Sequence, residues 1–120
     1  MKKHVLVISH GSREVSANSD FKKLVALYRK KHPTWVIAHA FLELAEPNIP
    51  QALEILSEST QEIFVLPLFL FQARHVKEHI PEIIRNFRKE NPKVKIKLGK
   101  PLGPEPKLLN LLDDRLKQTR

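Results

Sequence analysis

Two histidines and a glutamate in this chain have the type and placement to carry chemistry. His10 directly follows the apolar run Val5-Leu6-Val7-Ile8 and precedes Gly11. An imidazole so placed is held on stiff backbone with open space beside it. It can serve as a base near neutral pH or as a metal ligand, or it can simply hydrogen-bond a turn. Glu43 lies within Phe41-Leu42-Glu43-Leu44-Ala45-Glu46-Pro47, among apolar neighbours whose desolvation would make its carboxylate a proton acceptor. Glu46, just before Pro47, reads as a favourable charge at a helix N-terminus. Pro67-Leu68-Phe69-Leu70-Phe71 is too apolar for a free loop and suits the wall of a pocket for something flat. Arg74, His75, Lys77, Glu78 and His79 then fall within six residues. His75 and His79 are four apart and would share a helical face, but Pro81 argues that the regular helix starts too late for that spacing. Imidazole with carboxylate suits a borderline divalent metal such as Co²⁺, Ni²⁺, Fe²⁺ or Zn²⁺ rather than Mg²⁺ or Ca²⁺.

The elements that must position these groups follow from hydrophobic period. Val5–Ile8 and Ile63–Leu66 are short β-branched-rich runs, the pattern of strands buried on both faces. Trp35–Ala40 and Lys93–Leu98 read as two more strands, the latter alternating Lys93, Lys95 and Lys97 with Val94, Ile96 and Leu98. Such lysines give one wet face and discourage edge-to-edge pairing. Phe21, Leu24, Val25 and Tyr28 mark a helix from about Ser19 to Lys31, stopped by Pro33. Ile49, Ala52, Leu53 and Leu56 face inward on a helix spanning Pro47–Ser59. Ile80, Ile83, Ile84 and Phe87 make a third helix with Pro81 in its first turn, and Leu108–Leu116 a closing one. Strand and helix alternate four times, which predicts an α/β fold of three layers: a four-stranded parallel sheet flanked by helices, in one domain over residues 1–120. In such a sheet, ligand sites gather in the loops after the carboxyl ends of the strands, where His10, Glu43 and the segment around His75 all fall.

Composition narrows the function classes. The chain has 120 residues and no Cys, which excludes a disulfide scaffold, Cys-ligated zinc or iron–sulfur, and thiol catalysis. No apolar run approaches the length of a membrane span, and the start is too short in apolar residues for a signal peptide, so a soluble cytoplasmic protein with no membrane partner is expected. No Gly-x-Gly-x-x-Gly or Gly-x-x-x-x-Gly-Lys-Ser/Thr is present, so no nucleotide cofactor is expected. The net charge is +8, concentrated in residues 1–40 and 85–100. It calls for an acidic partner or reflects a solvated surface. The cations nearest the site loops are Arg13, Arg74, Lys77 and Lys100.

His10-Gly11-Ser12-Arg13, the Phe41–Pro47 segment, Ile49-Pro50-Gln51-Ala52-Leu53, Leu66-Pro67-Leu68-Phe69-Leu70, His75-Val76-Lys77-Glu78 with Ile80-Pro81, and Pro101-Leu102-Gly103-Pro104 occur in that order. Together they resemble the short CbiX-type sirohydrochlorin cobaltochelatases, of the class II, ATP-independent chelatases, over nearly the whole chain. The resemblance implies a chelatase-like fold, a homodimer, and insertion of Co²⁺ into sirohydrochlorin on the anaerobic route to cobalamin, with Ni²⁺ or Fe²⁺ as other substrate metals. It implies that His10 and His75 hold the metal and that Glu43 helps to accept protons. Ser12, Arg13, Phe69, Phe71, Arg74 and Lys77 are then the candidate substrate contacts. Two positions depart from the family pattern: Arg74 stands where Gly is usual and His79 where an acid is usual. A guanidinium at position 74 suits a substrate carboxylate.

Three other functions compete. Histidine phosphatases also carry His-Gly after a first strand, but with Arg immediately before the His, where this chain has Ser9. A nucleic-acid binder would suit the charge, but no recognised motif is present and Trp35 and Tyr28 fall at core-like positions, so no nucleic-acid partner is expected. A metal-storage or delivery domain would use the same ligands without turnover.

Overall fold

Strands and helices alternate along the chain as β1 (His4–Ser9), α1 (Val15–Lys31), β2 (Val36–Phe41), α2 (Ile49–Ser57), β3 (Glu62–Pro67), α3 (Arg74–Glu90), β4 (Lys95–Leu98) and α4 (Lys107–Lys117). This is a computed structural model that describes residues 2–119, with the side chain of His75 outside the described residues. All strand pairs are parallel, in the order β2-β1-β3-β4. The fold is the expected four-stranded parallel α/β sheet.

The order explains the layers. The crossover from β1 to β2 runs in one direction and those from β2 to β3 and β3 to β4 run in the other, so right-handed connections put α1 on one face and α2 with α3 on the opposite face. The α2/α3 face buries Leu6, Ile8, Ile63 and Val65 of the central strands against Leu53, Leu56, Ile80 and Ile84. The α1 face buries Val5, Val7, Ile37 and Phe41 against Phe21 and Val25. α2 buries the four residues its period predicts, and it starts with a reciprocal cap. The Asn48 side chain accepts from the Gln51 N–H at 2.9 Å while the Gln51 side chain accepts from the Asn48 N–H at 2.8 Å.

Four features differ from expectation. α1 begins at Val15, a turn earlier than the apolar period shows, because its first turn, Val15 to Asn18, is exposed or half-buried and buries nothing. α3 begins at Arg74, so Pro81 lies inside the helix and not in its first turn. Val76 extends the buried stripe of Ile80, Ile84 and Phe87 by one more step. Proline removes only the bond to the Lys77 carbonyl, on an exposed stretch where water can take its place. The early start sets residues 75 and 79 one helical turn apart, contrary to the expectation drawn from Pro81. β4 is only four residues long. It forms one edge of the sheet, where Lys97 reaches Glu62 at 3.4 Å and lies over the Phe64 ring. Finally, α4 buries none of its residues and so closes nothing.

His39 faces α1 from edge strand β2, with edge-on contacts to Phe21 and Phe41. Burial, then the charges of Arg29 and Lys22, push its pKa below the ordinary 6.5. A histidine held neutral in this way contributes stability above pH 6.5, and that stability is lost as pH falls toward its folded pKa. The unfolding midpoint in urea should therefore fall between pH 7 and 5, and His39→Gln should flatten that decline.

Candidate functional site

The loops after all four strands gather at one end of the parallel sheet. β1 and β3 are neighbours, yet the chain leaves β1 toward the α1 face and β3 toward the α3 face. That divergence opens a crevice between them, the usual ligand position in an open α/β sheet. The loops are tied together at the crevice. Ser9 and His10 carbonyls accept from Leu42 and Glu43 N–H groups at 2.8 and 3.0 Å, continuing the β1–β2 ladder past the strand ends. The Ile8 carbonyl accepts from Leu68 at 2.7 Å, fixing the start of the β3 loop.

This bracing delivers Glu43 to His10. His10 Nε2 lies 3.1 Å from Glu43 Oε1. The other ring nitrogen, Nδ1, is 3.2 Å from the Gly11 carbonyl. A carbonyl only accepts, so Nδ1 donates to Gly11, and Nε2 faces the carboxylate, donating to it when protonated and offering its lone pair to a shared ion when not. The ring is further set by Phe69, buried and edge-on at 6.3 Å between centroids. Metal–nitrogen and metal–oxygen bonds of about 2.0–2.2 Å meeting near a right angle place their two ligand atoms about 3 Å apart. The His10–Glu43 spacing thus matches two neighbouring ligands of one ion, with the Nδ1–H anchored on backbone as ligand histidines usually are.

The expectation that Glu43 is desolvated is corrected. Its side chain is 52% exposed, because Leu44 turns the backbone outward with a φ of 68°. A left-handed leucine costs about 1–2 kcal/mol. Its effect is to hold the carboxylate at the solvent-open mouth, beside His10. The other position held by conformation is Gly11, with φ of 93° and the Glu43 carbonyl packed where a Cβ would sit.

The remaining predicted contacts are spread around this pair. The Ser12 hydroxyl accepts from the Glu14 N–H at 3.0 Å, and Asn18 bonds both Ser12 backbone groups. Asn18 was not singled out in the sequence, since nothing marks a helical Asn as the clasp of the loop before it. Phe71 is 68% exposed beside the mouth, and Gly103 packs against it and the Leu70 carbonyl. Leu102 and Gly103 N–H groups donate to the Phe69 and Leu70 carbonyls at 2.8 Å, so the last loop braces the apolar one. Arg13, Lys77, His79 and Lys100 are exposed. Arg74 is exposed and meets Glu78 at 3.3 Å across one turn. The His75 backbone lies in the first turn of α3, and its side chain is outside the described residues. Among the described residues no group of three or more His, Asp or Glu forms a metal cluster, and no helix is long and apolar enough to cross a membrane.

The CbiX family model matches residues 4–119. The chain belongs to the CbiX family. This CbiX chain is 31% identical over 120 residues to a sirohydrochlorin cobaltochelatase of Methanococcoides burtonii, covering 92% of each. It is 30% identical over 113 residues to a chloroplastic sirohydrochlorin ferrochelatase of Arabidopsis thaliana, covering 93% of this chain and 50% of that protein. The crystal structure of the sirohydrochlorin chelatase SirB from Bacillus subtilis subspecies spizizenii, in complex with cobalt, superimposes with a TM-score of 0.89 at 31% identity, over 98% of this chain and 51% of SirB. The CbiX chain spans about half the length of several curated relatives it matches.

Proposed function

We propose that this CbiX chain is an ATP-independent chelatase, a single cytoplasmic domain working as a homodimer, that inserts a divalent metal, Co²⁺ first among the candidates, into sirohydrochlorin for cobalamin synthesis. The observation that carries the reading is the His10 Nε2–Glu43 Oε1 pair at 3.1 Å with Nδ1 anchored on Gly11. Insertion exchanges one M²⁺ for the two pyrrole N–H protons of the macrocycle, so it needs ligands that become bases. His10 and Glu43 hold the ion together with His75. As the ion passes to the ring nitrogens, the vacated imidazole and carboxylate each take one proton and release it to solvent. Phe69 and Phe71 supply apolar surface for the macrocycle. Arg13, Arg74 and Lys77, with Ser12 in the same loop, meet its carboxylates, which gives part of the +8 charge an acidic partner.

Iron is the second reading, because relatives of similar identity carry cobaltochelatase and ferrochelatase names. Absorbance of sirohydrochlorin mixed with Co²⁺, Fe²⁺ or Ni²⁺, without ATP, tests both. The expected result is acceleration over the spontaneous rate, greatest with Co²⁺. A greater acceleration with Fe²⁺ makes the chain a ferrochelatase. No acceleration with any metal leaves metal binding or delivery as its role.

A further inference from the structure

The first turn of α1 lacks the usual reasons to be helical. Its N-cap, Glu14, makes no side-chain cap, and no acidic residue in the turn meets the helix dipole. Val15 is 81% exposed, and of residues 13–20 Asn18 alone is partly shielded from solvent. What the turn does is carry the Asn18 amide back to the loop after β1. Asn18 Oδ1 accepts from the Ser12 N–H at 3.0 Å, and Nδ2 donates to the Ser12 carbonyl at 2.8 Å. The Ser12 N–H and the Gly11 carbonyl belong to one planar peptide unit. That carbonyl is the group that accepts from His10 Nδ1 at 3.2 Å. A single rigid plane therefore has Asn18 at its N–H end and the His10 ring at its C=O end.

We infer that Asn18 is a positioning residue for the metal: acting through the Gly11–Ser12 peptide, it aims His10 so that Nε2 offers its lone pair to the ion. The inference rests on the chelatase reading and deepens its site. Glycine leaves the peptide beside it free to turn, so the direction of the Gly11 carbonyl has to be set from the Ser12 side. Fixing the N–H on Asn18 fixes the carbonyl opposite to it. An acceptor on the N–H also polarises the peptide, which makes its carbonyl a stronger acceptor for Nδ1–H. A ligand histidine needs its second nitrogen held in this way. Glu43 pulls the other way, because a carboxylate 3.1 Å from Nε2 favours a hydrogen there. A ring with its hydrogen on Nε2 has no lone pair to give an ion shared with Glu43. The two bonds of Asn18 differ in what they reach. Oδ1 holds the plane that faces His10, whereas Nδ2 holds the next peptide, Ser12–Arg13, and only ties the loop to the helix.

That difference supplies the test. Asn18→Asp keeps an acceptor for the Ser12 N–H and loses the donor, while Asn18→Ala loses both; circular dichroism checks that each is folded. Titrated with Co²⁺ alone and followed by its visible absorbance, Asn18→Ala should bind about 10-fold more weakly than the unmodified protein. Asn18→Asp should recover most of that loss. In the insertion assay the same factor should fall on the Co²⁺ concentration giving half-maximal rate, and not on that of sirohydrochlorin. NMR of the histidine rings in the metal-free protein, with His10→Ala to assign the signal, reads the ring directly. Nδ1 should carry a hydrogen in the unmodified protein and in Asn18→Asp, and should lose it in Asn18→Ala at the same pH. If Asn18→Asp binds Co²⁺ as weakly as Asn18→Ala, the clasp is only a tie and the inference is overturned. An Nδ1 hydrogen that persists in Asn18→Ala also overturns it, while leaving the chelatase reading in place. A protein that neither binds Co²⁺ nor accelerates insertion overturns the chelatase reading instead, and the ring signals still decide whether Asn18 aims His10.

Discussion

Replacing His10 with alanine should reduce metal insertion at least ~100-fold while leaving the fold intact. His10 Nε2 is one of the two donors at the crevice, and its side chain is 44% exposed, so little packing is lost with it. On the proposed mechanism, the substitution removes a ligand and a proton acceptor together. It also leaves Glu43 without the partner that orients it. Initial rates with sirohydrochlorin and Co²⁺, set beside thermal unfolding of the same sample, check the result. Full activity in a folded His10→Ala protein would remove His10 from the site. Glu43→Gln keeps the shape and only halves the pair, so its loss should be smaller. The double substitution should cost little more than His10→Ala alone, because the two groups act as a unit. His75→Ala should match His10→Ala if it holds the same ion.

The second large effect is expected at Gly11. Its φ of 93° is open to glycine and strained for any L side chain. A Cβ there would overlap the Glu43 carbonyl oxygen and lie 3.4 Å from the Phe41 Cβ. Neither neighbour can move away freely. Phe41 is fully buried, and the Glu43 backbone is tied to the His10 carbonyl at 3.0 Å. Gly11→Ala should therefore destabilise the protein by about 3 kcal/mol and displace Glu43 from His10, lowering insertion in whatever fraction stays folded. Urea unfolding and the insertion rate are the two readouts. Gly99→Ala is the control: its Cβ would meet the flexible end of Leu66 at 3.0 Å without a positive φ, and its cost should be well under half as large. A Gly11→Ala protein as stable as the original would mean that the loop yields, and that Glu43 is not held by it.

The framework was legible where one residue pattern had one physical solution. Val5–Ile8 can only be a strand buried on both sides, and the α2 period buries the four residues it marks. Pro81 misled because proline ends a helix only when the lost bond cannot be replaced; here the amphipathic stripe begun at Val76 outweighs that one bond. α4 shows a related limit. Period marks an apolar face, not what will cover it. At the site, His10 stood out because an imidazole between a buried strand and a glycine can act as a base or metal ligand, although its commoner use is to hydrogen-bond a turn. Glu43 was found for a different reason from the one that positions it. Its apolar sequence neighbours suggested burial, whereas Leu44 and the carbonyl contact at Gly11 hold it in the open. Asn18 escaped notice because its partner, Ser12, is visible only once the loop is folded, and the contact of Gly103 with Leu70 likewise appears only in the fold.

The position of β1 in the sheet bears on how the chain can be made. β1 pairs with β2 on one edge and with β3 on the other. During synthesis α1 and β2 can dock early, but the second edge of Val5–Ile8 stays unpaired until residues 62–67 have left the ribosome. An apolar strand with a free edge recruits other strands. The nascent chain is thus most prone to aggregate while its middle third is being translated, and α2, which carries β3 into place, sets how long that interval lasts.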